Sequence, residues 1–218
     1  MVNHMLMITA DFENIASLQP QGGCDDPNFS YFFKIKCGRC GEVSQKETCV
    51  TLNDTVSLHQ GKGTSHLIQK CKFCGRDGTV TMIPGKGKPL TQELSEGGKY
   101  APLMLFDFRG YEPEGFVFSG AWNAESEYAH DFLFAMLFFP FVVDFEPGAA
   151  YETLRPVCIS QTFKTCLYGR KLYIQGGLIA GTKYEDIDLS GDDFNDYDEK
   201  GECPVMISNL RSKFEVVR

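Results

Sequence analysis

Lys36-Cys37-Gly38-Arg39-Cys40-Gly41 recurs further along the chain as Lys70-Cys71-Lys72-Phe73-Cys74-Gly75. Both hexapeptides read K-C-x-x-C-G, with thirty residues between Cys40 and Cys71. Two residues between thiols let both sulfurs point inward from one tight turn. The glycine that follows takes a backbone conformation that L-residues resist and lets amides approach the sulfurs. Two such turns, each at the end of a strand, supply four thiolates at the corners of a tetrahedron. That is the four-cysteine arrangement of a zinc ribbon. Cys37, Cys40, Cys71 and Cys74 are therefore the expected ligands of one Zn2+ per chain.

Four protein ligands leave no coordination position for water or substrate, so the expected role of the zinc is structural. Such a site contributes on the order of 10 kcal/mol to folding. A zinc tetrathiolate carries a net charge of about −2, and Lys34, Lys36, Arg39, Lys46, Lys70, Lys72 and Arg76 stand close in sequence to offset it. Iron competes for the same ligands, because rubredoxin-type sites use twin knuckles of this spacing. A thioredoxin-like dithiol needs a strand-to-helix junction and leaves the second copy unexplained.

Outward from the knuckles the chain reads as short strands. Phe29 to Lys36 leads into the first cysteine pair and Ser65 to Lys70 into the second. Leu6 to Phe12 and Leu103 to Phe108 alternate apolar with other residues, and Thr79 to Ile83 is a β-branched run closed by Pro84-Gly85. Val205 to Ile207 and Phe214 to Val217 end the chain. Gly-containing turns at 21–23, 61–63, 85–87 and 96–98 separate these runs. No long amphipathic helix precedes residue 126. The expected fold class is all-β, mainly antiparallel sheet, with a zinc-ribbon-like four-cysteine site.

The formal net charge of −8, from 29 acidic and 21 basic residues, argues against nucleic acid and anionic membrane as partners. The longest apolar run, Phe132 to Val143, is shorter than the roughly 20 residues of a membrane span. Nine cysteines, an odd number, and a start without a basic n-region point to free or metal-bound thiols in a reducing compartment. The expected location is the cytoplasm, with the nucleus as a second compartment.

Other chemistry-bearing residues read as ordinary structure. His59 and His66 flank Gly61-Lys-Gly63 beside the second knuckle, but four cysteines already complete the shell. Gly61-Lys-Gly-Thr64 lacks the full phosphate-loop pattern and reads as a hairpin turn. Cys203 has no local base to make it a nucleophile. Cys24 and Cys49 read as small apolar core residues. Asp196-Tyr-Asp-Glu-Lys200, within the acidic stretch from Gly181, reads as a solvated turn.

An ordered set of motifs surrounds the knuckles: Phe12-Glu-Asn-Ile15, Lys36-Cys-Gly-Arg-Cys-Gly-Glu42, Gly61-Lys-Gly63, Gln69-Lys-Cys-Lys72, Arg109-Gly-Tyr-Glu-Pro113, Gly181-Thr182, Asp188-Leu189 and Tyr197-Asp-Glu-Lys200. In these the chain resembles the eukaryotic CXXC motif-containing zinc-binding protein family, over about residues 5 to 126 and 181 to 216. The resemblance implies a single β domain, residues 1–218, holding one zinc through the four cysteines named above. It implies no enzymatic activity. The sequence departs from the family's pattern at 127–180, which reads as an insertion into that domain with abrupt edges and no clear periodicity.

The expected function is that of a non-enzymatic binding or adaptor protein, monomeric, with an unidentified protein partner. The acidic segment 185–199, with Tyr184 and Tyr197 exposed on it, is the expected contact surface for a basic protein domain. Three alternatives remain: cytosolic zinc or copper delivery, a thiol-dependent enzyme using Cys203, and a rubredoxin-like electron carrier.

Overall fold

Tyr31, Phe33, Ile35 and Cys37 are buried, whereas Lys34 and Lys36 face solvent. The period of two that drives this strand into the core thus carries the first metal-site cysteine inward with it. The computed structural model describes residues 2–58, 63–127, 163–168, 171–176 and 181–217. They fall in two compact units, Met1–Glu127 with Gly181–Arg218, and Tyr128–Ala180.

In chain order the first unit begins with β1 (Val2–Glu13), β2 (Ile15–Pro20), β3 (Tyr31–Cys37), β4 (Thr48–Val50), β5 (Val56–Ser57), β6 (Thr64–Ser65), β7 (Leu67–Lys70) and β8 (Asp77–Ile83). It continues through β9 (Leu90–Thr91), the one-turn helix α1 (Gln92–Glu96), β10 (Ala101–Arg109), β11 (Tyr111–Val117) and β12 (Ala121–Ser126). The second unit shows β13 (Phe163–Tyr168) paired antiparallel with β14 (Lys171–Gly176). The first unit then ends with β15 (Lys183–Asp188), β16 (Phe194–Asp198) and β17 (Cys203–Val217). The apolar run 132–143 and His59 lie outside the described residues.

The first unit holds three main sheets, with strand orders β16-β17-β1-β10-β8-β7, β11-β3-β4 and β15-β12-β2-β9. All of the strand pairings within them are antiparallel, so the all-β expectation holds. Among the described residues no helix is long and apolar enough to cross a membrane.

An aromatic layer joins the sheets. The Phe106 ring meets Tyr31 at 5.8 Å, Phe33 at 5.4 Å and Phe214 at 6.2 Å, edge-on in each case. Trp122 of β12 is fully buried between Phe29 and Phe118. Such edge-to-face pairs add to the stabilisation from apolar area itself.

Several elements differ from the sequence reading, each for a physical reason. Leu103 to Phe108 alternates in sequence, yet all six residues are buried, because β10 sits inside a six-stranded sheet with both faces covered. The two C-terminal strands are one fifteen-residue strand, β17, which stays paired with β1 through a register shift between Thr9 and Asp11. The acidic stretch forms two edge strands, β15 and β16, with most of its carboxylates exposed. Asp198 departs from the solvated-turn reading: it is fully buried. Its carboxylate accepts hydrogen bonds from the Ser126 hydroxyl, the Thr182 hydroxyl at 2.8 Å, and the amides of Lys200 at 2.9 Å and Gly201 at 3.2 Å. Tyr184 is half-buried against Phe194 rather than exposed, and Cys49 is exposed rather than in the core, set outward by the alternation of β4.

Candidate metal centre

Each knuckle is the turn of a hairpin. Strand β3 ends at Cys37 and returns through the Lys36–Val43 bridge. Strand β7 ends at Lys70 and returns as β8 with Lys70 opposite Asp77. The two turns match bond for bond. The Cys37 amide donates to the Glu42 carbonyl and the Cys71 amide to that of Arg76, both at 2.8 Å. Gly41 donates back to Cys37 at 2.9 Å, and Gly75 to Cys71 at 3.0 Å. Both glycines have positive φ, +75° and +69°, a region costly for any residue with a Cβ. The repeated C-x-x-C-G is the sequence imprint of this one closed turn.

The structure brings Cys37, Cys40, Cys71 and Cys74 together, with all four sulfurs within 4.8 Å of one another. Between the knuckles, Cys37 lies 3.7 Å from Cys74 and Cys40 lies 3.6 Å from Cys71. A disulfide needs about 2.05 Å, so these are four free thiols. A tetrahedron with zinc–sulfur bonds of about 2.3 Å has edges of about 3.8 Å, close to these two separations. Cys37 and Cys71 are buried, Cys74 is half-buried and Cys40 is exposed.

The electrostatics favour a cation here. Amides of Cys40 and Arg39 hold the Cys37 thiol down to about 6. Amides of Cys74 and Phe73 lower that of Cys71 against the opposing effect of burial. The Cys40 thiol receives the Glu42 amide, but desolvation of its sulfur within the cluster and its neighbours Cys37, Cys71 and Cys74 outweigh that and push it up to about 12. Amides thus favour the charged form at Cys37 and Cys71, while the crowding of the other thiols disfavours it at Cys40. A divalent cation at the centre removes that conflict. The donor set therefore fits zinc: the four sulfurs would hold it, and when bound it would supply neutralisation and a cross-link between hairpins.

Residues outside the cysteines complete the site. Tyr111 lies opposite Cys37 in the β11–β3 pairing and is 6% exposed. Burial, then the charges of Cys71, Cys37, Cys74 and Asp77, push its phenol up to about 12. Its hydroxyl donates to the Gln69 carbonyl at 3.3 Å. His66 is not in the cluster; its Nδ1 accepts from the Met82 amide at 2.9 Å, and burial lowers its pKa. Cys24 is buried with its thiol pushed up to about 11, first by burial and then by Asp25. Cys203 stands half-buried at the start of β17, opposite Asp198. The four thiols are the one metal-competent cluster found among the described residues.

A fold of antiparallel sheets with paired C-x-x-C-G hairpin turns and converging thiols defines a β protein with a four-cysteine cluster able to hold a zinc ion. The chain belongs to the eukaryotic CXXC motif containing zinc binding protein family, whose model matches residues 5–134 and 169–215. Residues 135–168, between the two matched stretches, lie inside the departure expected at 127–180. Proteins named CXXC motif containing zinc binding protein are similar to it. That of Xenopus laevis is 28% identical over 214 residues, covering 98% of each chain. That of Homo sapiens is 29% identical over 209 residues, covering 96% of this chain and 95% of the relative. The crystal structure of C1orf123 superposes with a TM-score of 0.66 at 26% identity, covering 99% of both chains.

Proposed function

We propose that this chain is a non-catalytic binding protein in which one zinc ion, held by Cys37, Cys40, Cys71 and Cys74, is a structural cross-link. The observation that carries the reading is the closed donor set: four protein sulfurs converge from two matched turns, leaving no position for a substrate. The ion staples β3 to the β7–β8 hairpin, two pieces of different sheets. Function then resides on the surface so stabilised. The acidic edges β15 and β16 supply it, with Glu185, Asp186, Asp188, Asp192, Asp193 and Asp196 exposed beside Tyr197, itself 55% exposed. A basic protein domain is the complementary partner. We place the protein, as a monomer, in the cytoplasm, where thiols stay reduced.

The test is a chelator titration of zinc-loaded protein, followed simultaneously by metal release and far-ultraviolet circular dichroism. Loss of sheet signal in step with zinc supports the structural role. Zinc leaving from a fully folded chain overturns it. One feature favours a second reading, metal delivery: Cys40 is exposed, and Cys71 lines an open cleft of about 310 Å³ together with exposed Cys49. Under that reading zinc passes within minutes to a competing thiol chelator without unfolding.

A further inference from the structure

Two hollows flank the metal knuckles, of about 310 Å³ and about 560 Å³. The first is bounded by Glu42–Cys49 on one side and by Leu67 and Gln69–Lys72 on the other. The second opens between Gly38, Arg76 and the ends of β1 and β17. Tyr111, paired with Cys37 across the β11–β3 ladder, is thus common to both hollows.

The turn that carries Tyr111 reaches both knuckles. The Gly38 amide, inside the first C-x-x-C, donates to the Gly110 carbonyl at 3.1 Å. Gly110 has φ +80°, and a Cβ there would stand 3.1 Å from the Asp77 carbonyl oxygen, just beyond the second knuckle. The Tyr111 ring lies flush on Gly78: a Cβ on Gly78 would fall 2.2 and 2.4 Å from two ring carbons. The Tyr111 hydroxyl reaches Gln69, two residues before Cys71, while its backbone pairs with Cys37. Knuckle one is thus held through Gly110 and the β11 backbone. Knuckle two is held through the ring and hydroxyl of Tyr111.

We infer that the Gly110–Tyr111 turn is the positioning element of the metal centre, and that the Tyr111 ring seated on Gly78 controls how fast the ion leaves. The inference rests on the four cysteines being the zinc ligands. A site whose ligands are held at bonding separation before the metal arrives binds more tightly, because less ordering is required on loading. Substitutions in the shell behind the ligands typically change metal affinity by 10- to 100-fold with all ligands retained. Here the residues of that shell are Gly78, Gly110 and Tyr111.

The experiment uses the full zinc-loaded chain and measures zinc release to an excess of a chromophoric chelator. Tyr111→Leu removes ring and hydroxyl, Gly78→Ala displaces the ring and the Arg109 carbonyl before it, 2.8 Å from the new Cβ, and Tyr111→Phe keeps the ring and loses the hydroxyl. Release is expected to accelerate at least tenfold in the first two and to stay within about threefold of wild type in the third. A control, Leu90→Ala, lowers stability at a fully buried residue of the four-stranded sheet, which contains neither knuckle strand, and its release is expected to accelerate by less than about threefold. Cobalt-loaded Tyr111→Leu and Gly78→Ala should retain thiolate charge-transfer bands, since no ligand is removed. If folded Tyr111→Leu or Gly78→Ala releases zinc at the wild-type rate, the inference is overturned. It is equally overturned if Leu90→Ala accelerates release as much as they do. Should Tyr111→Leu and Gly78→Ala fail to fold, Gly110→Ala takes their place against the same tenfold expectation. A wild-type chain that binds no zinc contradicts the assignment of the ligands themselves, a different failure.

Discussion

Replacing Asp198 tests the part of the structure least visible in the sequence. Its carboxylate is fully buried and gathers donors from three places: Ser126 at the end of β12, Thr182 just before β15, and the Lys200 and Gly201 amides in the β16–β17 turn. Asp198→Ala takes the acceptor from all four. Thr182, Lys200 and Gly201 are partly solvated, so each loses about 1 kcal/mol net. Ser126 is 2% exposed, but its hydroxyl keeps the Thr182 amide at 2.8 Å and has the Thr182 carbonyl at 3.5 Å, so its loss is also about 1 kcal/mol. The total is about 4 kcal/mol. Asp198→Asn keeps an acceptor at the Oδ1 position, and the Ser126 hydroxyl can turn to accept from the new amide, so about 1 kcal/mol is expected. Urea unfolding of zinc-loaded protein, read from the fluorescence of buried Trp122, is the assay. With a urea slope of about 2 kcal/mol per molar, the midpoint should fall by about 2 M for alanine and about 0.5 M for asparagine. An alanine variant within 0.5 M of wild type would refute the stabilising role of these four bonds.

Further outcomes follow from the same geometry. Cys71→Ser should lower bound zinc well below one equivalent and loosen the β7–β8 hairpin, seen as faster amide exchange from Leu67 to Ile83; unchanged zinc content and exchange would contradict its role as a ligand. His66 accepts a bond from Met82 and has its pKa lowered by burial, so the unfolded chain takes up the proton first. Its contribution to stability is complete above the ordinary pKa of about 6.5 and is lost as pH falls below it. Wild type should therefore lose more urea resistance between pH 7.5 and 5.5 than His66→Gln, and equal losses would refute this. Joining Glu127 to Gly181 through a short turn should leave the first unit folded. Its strands already pair there, Glu125 opposite Lys183, with the Ser126 amide on the Thr182 carbonyl at 3.0 Å. A roughly tenfold shorter connection should add about 2 kcal/mol through loop closure. An unfolded or zinc-free product would show that the segment is needed.

Much of this molecule was legible in the residues. The C-x-x-C-G repeat located the metal centre because a closed turn with a left-handed glycine leaves a strict local signature at Gly41 and Gly75. Strands β3, β8 and β10 were readable from alternation or β-branched composition. Position within a sheet was not readable, so β10 looked one-sided while both its faces are covered. Asp198 could not be found, because a carboxylate in an acidic stretch looks solvated until the hydroxyls of Ser126 and Thr182, distant in sequence, arrive around it. Tyr111 escaped for the same reason. Its motif, Arg109-Gly-Tyr-Glu-Pro113, was noticed as a pattern, but its contact with Gly78 exists only after two sheets assemble. Cys49 and Tyr184 show the converse: residue type suggested core or surface, and local strand phase or a neighbouring ring decided otherwise.

The most direct test of the account is zinc-edge X-ray absorption, with elemental analysis, on the full chain purified without added metal. The account predicts one zinc per chain with four sulfur neighbours at about 2.3 Å and no lighter atom in the first shell. Iron in place of zinc, a nitrogen or oxygen ligand, or a small fraction of an equivalent would contradict the closed structural centre.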